Sequence, residues 1–193
     1  MGYWAVEVER GQYIFLPQHG RAPGEDDHDV DFFDKPISCN DGSQTMSDVV
    51  PPAFYHNPIH DVKSLWWICV EKVLTKQVLV NGEPLVDETR FKNQWYAASN
   101  IFPSANEARL RERFLRTKAI FSKCTATLNP RMTGVVDALN NIREELVSMY
   151  EATEAKAPRI TSDGYADKTL FRLVRLFTNL ETAARGMEIT DLK

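Results

Sequence analysis

One run constrains this chain more than any other. It is "HNPIHDVKSLWWICVEKVL", residues 56–74, where polar residues gather at the head and apolar ones fill the rest. Apolar side chains fall at Val62, Leu65, Trp66, Trp67, Ile68, Cys69, Val70, Val73 and Leu74. Asp61 is a good N-cap, and neither Gly nor Pro interrupts residues 62–75. On a 3.6-residue wheel the apolar positions cover nearly all azimuths, which predicts a buried helix over 62–75. Burying two indoles removes roughly 200 Å² apiece from water, several kcal/mol each. A helix of this kind belongs at the centre of a domain.

The remainder of the chain supplies coats for such a helix. Residues 88–101 read as a helix stopped by Pro103, and 105–124 as a further helix that Ser104 can cap. Residues 132–155 repeat apolar side chains at Val135, Leu139, Ile142, Leu146 and Met149–Tyr150, near helical spacing. Residues 166–186 do the same with Leu170, Leu173, Val174, Phe177 and Leu180, and Gly186 can end that helix. "VNGEPL" (80–85) is a turn, and "TLNPRMT" (127–133) is a break. Strand signals are confined to "QYIFL" and "KQVLV" (76–80). Residues 21–52 are acidic and turn-rich, with the character of a loop or insertion. The expected fold is mainly α: about five helices around a buried central one, after a loop-rich N-terminal third.

The chain has 193 residues and a net charge of −4, with no basic cluster for nucleic acid or for an anionic membrane. Its longest apolar run, 65–70, is far too short to span a bilayer. The start, "MGYWAVEVER", places acids where a secretory signal is apolar. Three cysteines, Cys39, Cys69 and Cys124, stand far apart with no C-x-x-C pair, as expected of free thiols in a reducing compartment. An intracellular, cytoplasmic protein is expected, with the nucleus as an alternative.

Several chemistries can be weighed on the residues. His56 and His60 are four apart, but Pro58 between them denies the fixed helical face that zinc pairs use. Glu25, Asp26, Asp27, Asp29, Asp31 and Asp34, with His28, could gather a divalent cation. They lack the glycine and closing glutamate of a calcium loop, and read as a solvated acidic insertion. No G-x-G-x-x-G, G-K-[ST], G-x-S-x-G or H-E-x-x-H occurs.

Two motifs carry a resemblance. Ala5-Val6-Glu7-Val8 matches an A-x-E-V pattern, and His60-Asp61-Val62-Lys63-Ser64-Leu65-Trp66-Trp67 matches H-D-(L/V)-x-S-(L/F)-(W/F)-W. In this order they resemble the C-terminal lobe of the fungal-type protein kinases, where the second opens the buried F-helix. The resemblance extends weakly to about residue 155. It implies that Glu7 takes the place of the A-P-E glutamate, with Arg131 as its candidate partner. It further implies that Asp61 is the F-helix aspartate, which holds the catalytic loop by its backbone. On this reading residues 1–155 are a partial kinase-like lobe and 156–193 a helical extension packed on it. The Gly-rich loop, nucleotide lysine, catalytic loop and D-F-G, which precede these motifs in kinases, are not found. "HNPIHD" does not stand in for the catalytic loop, because Trp66 occupies the position of the metal-binding asparagine.

The expected function is therefore that of a truncated, non-catalytic, kinase-like piece that binds protein, with no cofactor and no metal. An incomplete product of an active kinase, an unrelated helical interaction module, and a metal-dependent hydrolase built on His56, His60 and the acidic stretch are the alternatives. A lobe without its catalytic loop is further expected to leave apolar surface uncovered around Trp66 or Trp67, and to self-associate there.

Overall fold

Pro58 opens the central helix. The computed structural model describes residues 54, 56, 58–84, 87–102, 108–155 and 167–192. Among them α1 runs Pro58–Thr75, four residues earlier at its start than the sequence suggests. Proline suits the first helical position, where its missing N–H would have no partner anyway. The buried stripe is Ile59, His60, Lys63, Trp66, Trp67, Val70 and Leu74, the three-to-four spacing of one helix face. The expectation that α1 is buried all round is corrected: Leu65 is 54% exposed. The helix lies against its neighbours on one broad side rather than inside a sleeve of them.

α1 passes directly into β1 (Lys76–Val80), and β2 (Glu83–Pro84) returns antiparallel, pairing Leu79 with Pro84 and Val80 with Glu83. Asn81 and Gly82 between them have φ of 55° and 81°, the left-handed pair that a two-residue hairpin turn requires. Pro84 is tolerated because β2 is an edge strand. β3 (Ile189–Asp191) adds to the other side of β1, antiparallel, with Val78 opposite Ile189 and Lys76 opposite Asp191.

α2 is Glu88–Ile101, with the bounds read from the sequence, and Asp87 caps it by accepting from the amides of Thr89 and Arg90. The single helix expected over 105–124 is two helices, α3 (Ala108–Arg116) and α4 (Lys118–Thr125), with extended Thr117 between them. The cause lies elsewhere in the chain. The buried guanidinium of Arg143 donates to the Leu115 carbonyl at 2.9 Å and takes the place of a helical partner there. The break lets Phe114, Leu115 and Phe121 all enter the core.

A 3₁₀ turn (Pro130–Met132) leads into α5 (Thr133–Glu154), which buries Val135, Leu139, Ile142, Leu146 and Tyr150. α6 (Asp167–Ala184) lies along α5, with Leu173 and Leu180 inward. Val174, counted inward from the sequence, is instead 64% exposed. Gly186, at φ 79°, turns the chain from α6 toward β3. Trp66, Ile101, Phe114, Leu139 and Leu173 belong to one hydrophobic core, so the stretch read as an extension shares the core of the rest. No described helix is long and apolar enough to cross a membrane.

Candidate site at the head of the central helix

The residues singled out from the sequence meet the tertiary structure in different ways. Trp66 and Trp67 are 0% and 1% exposed, their rings 4.8 Å apart and edge to face. Phe114 packs against both, Phe121 lies on Trp66 and Phe102 on Trp67. Trp66 Nε1 donates to the Leu139 carbonyl of α5 at 3.0 Å. The expected apolar opening around this pair is thus corrected: the phenylalanines of α3 and α4, and Phe102 just after α2, close it.

Asp61 falls in the first turn of α1 rather than at its N-cap, because the helix starts at Pro58. A carboxylate there still complements the positive end of the helix dipole. Its side chain is 71% exposed, and Oδ1 lies 3.3 Å from Nε2 of His56, itself 46% exposed. An exposed pair of this kind contributes about 1 kcal/mol at most.

His60 turns the other way and is fully buried. Its ring stands 5.2 Å from Phe54, 5.4 Å from His56 and 5.8 Å from Tyr150, centroid to centroid. One turn further on, Lys63 is also fully buried, with Nζ 4.8 Å from the centre of the Tyr150 ring. The face of an aromatic ring carries partial negative charge, so a desolvated ammonium is stabilised over it. Glu154, one turn beyond Tyr150 on α5, is buried as well. From the sequence, Lys63 is only a position within the motif and Tyr150 only part of an apolar repeat, and Glu154 carries no assignment; their meeting at one buried place is not expected. The buried stripe holds the signal that could have found Lys63, which stands four residues after Ile59 and three before Trp66.

Arg131 lies exposed on the 3₁₀ turn, where its backbone N–H donates to Asn129 Oδ1 at 2.9 Å. Glu7, its expected partner, lies outside the described residues, as do the acidic stretch 25–34 and Cys39. Among the described residues no three His, Cys, Asp or Glu side chains come together as metal ligands. Burial pushes the Cys69 thiol up and that of Cys124 up to about 12, so both are poor nucleophiles at neutral pH.

At the opposite end of α1, a cavity of about 240 Å³ is lined in part by Lys76, Arg90, Phe91, Gln94 and Asn129. Its cations are already matched: Lys76 pairs with Asp191, and Arg90 Nε lies 3.4 Å from Asp87. Gln94 is committed as a donor to the carbonyls of Leu74 and Lys76. These contacts fix the exit of α1 into β1. Comparison of the chain with protein-family models, with curated proteins and with solved structures finds no match.

Proposed function

We propose that this chain is a kinase-like C-lobe piece that binds a protein segment at the head of α1 and has no phosphotransfer activity of its own. The observation that carries the reading is the division of labour within the H-D-x-x-S-x-W-W stretch. Trp66 and Trp67 anchor α1 in the core, while the Asp61 carboxylate faces solvent at the head of the helix. In the kinase fold that carboxylate accepts backbone N–H groups from a catalytic loop. The Asp61 side chain is 71% exposed beside His56, where a segment supplied by another chain can reach it. No Gly-rich phosphate loop or D-F-G motif is present in the sequence to bind nucleotide.

A second reading, a helical interaction module unrelated to kinases, is favoured by a different observation. Trp95 and Tyr96 of α2 are 51% and 48% exposed with their rings 5.5 Å apart, and tryptophan and tyrosine are enriched in binding hot spots.

A double-mutant cycle on Glu7→Gln and Arg131→Gln separates the two readings. The kinase reading expects a coupling above about 0.5 kcal/mol in denaturant unfolding of the full chain. Strict additivity would remove it and leave the second. Calorimetric titration with Mg-ATP is expected to give no saturable heat, and saturation would overturn the non-catalytic assignment.

A further inference from the structure

The outer face of α6 carries side chains that no described element covers. At 100° per residue, Phe171, Val174, Arg175, Thr178, Glu181 and Thr182 project from one side of the helix axis, opposite buried Leu173 and Leu180, and Arg185 follows just past the helix end. Phe171 is 76% exposed and Val174 64%, the two highest values among the exposed large apolar side chains described. The two threonines extend this line. Thr178 Oγ1 donates to the Val174 carbonyl at 3.1 Å and Thr182 Oγ1 to the Thr178 carbonyl at 2.9 Å. Each hydroxyl is therefore engaged within its own helix.

The charges on this face are ordered along the axis. Arg175 stands toward the N-terminal end, and Glu181 toward the C-terminal end, where it pairs with Arg185 at 3.2 Å. An order of this kind is complementary to itself when reversed. We propose that the face is the contact of a homodimer in which α6 packs antiparallel on α6 of a second copy, with the two-fold axis at Thr178. In that register Arg175 of each copy meets Glu181 of the other, twice over. Val174 packs on Thr182, and Phe171 covers the stem and guanidinium of Arg185, a cation–π arrangement. The interface is isologous, as two-fold symmetry requires. A parallel pairing would instead set Arg175 on Arg175 and Arg185 on Arg185. One helix pair buries less than the roughly 1,200 Å² of a stable interface, so the dimer is a weak and reversible one.

Sedimentation equilibrium of the full chain up to about 500 µM tests this, with far-UV circular dichroism to confirm that each variant is folded. Monomer–dimer exchange is expected. Arg175→Glu alone and Glu181→Arg alone are each expected to weaken it about tenfold, through like charges set face to face. The double variant R175E/E181R reverses both partners and is expected to return association to within about threefold of the native chain. A native chain that stays monomeric to the highest concentration would overturn the proposal. So would single variants that associate as well as the native chain, or a double variant that fails to recover.

Discussion

At the scale of single residues, the two adjacent tryptophans are chemically alike and structurally unequal. Both indoles are buried, but only Trp66 places its Nε1–H against an acceptor, the Leu139 carbonyl. Trp67 Nε1 is buried without a hydrogen-bond partner among the described residues. Exchange for phenylalanine removes a similar volume at each site. Trp66→Phe additionally gives up a buried hydrogen bond, worth about 1 kcal/mol net, whereas Trp67→Phe relieves a polar group with no acceptor. Trp66→Phe is thus expected to be the more destabilising by about 1 kcal/mol in urea unfolding. The reverse order would show that the indole bond is not a stabilising contact. Lys63 and His60 belong to the same scale. Both stand on the buried stripe of α1, which is a local signal, but both also meet Tyr150, far along the chain on α5, and no local pattern announces that contact.

Among the elements, the exit of α1 shows how a helix end is satisfied inside a fold. The last carbonyls of a helix lack intrahelical donors. Here Gln94 Nε2, from α2, donates to the carbonyls of Leu74 and Lys76 at 3.0 and 2.7 Å, and the Leu192 amide donates to that of Thr75 at 2.9 Å. One side chain therefore ties α2 to the junction of α1 and β1. Gln94→Leu keeps the bulk and removes the donor, which leaves buried carbonyls without it. The expected loss is about 2 kcal/mol of unfolding free energy, read from the denaturant midpoint at constant slope. A loss within experimental error would mean that other donors satisfy these carbonyls. The division of α3 from α4 follows the same logic, since Arg143 supplies from α5 the donor that the Leu115 carbonyl would otherwise find along its own helix.

For the whole molecule, the C-terminal segment is a member of the core. Leu173 and Leu180 of α6 join the cluster that contains Trp66, and β3 pairs with β1, which continues directly from α1. A chain ended after Ala155 loses both the cover over α5 and one neighbour of β1. It is expected to lose its cooperative thermal transition and to bind a hydrophobic dye, as exposed core surface does. A truncated chain with an unchanged sharp transition would show that residues 156–193 are dispensable to the core.

What the sequence determined by itself is local in its physics. Apolar periodicity set the helices, the Asn-Gly pair set the hairpin turn, and Gly186 marked the end of α6, because each rests on the preferences of residues close together in the chain. The mainly helical class, the burial of Trp66 and Trp67 and the bounds of α2 were legible for this reason. Of the candidate site, the head of α1 was legible as a place, and the roles of its residues were not. Asp61 faces solvent, His60 and Lys63 face inward, and Arg143 breaks a helix from another element. The inward contacts of His60 and Lys63, and the break at Leu115, depend on partners brought together only when α5 packs against α1 and against the junction of α3 and α4. Such long-range pairings are the part of the free energy that a local pattern does not contain.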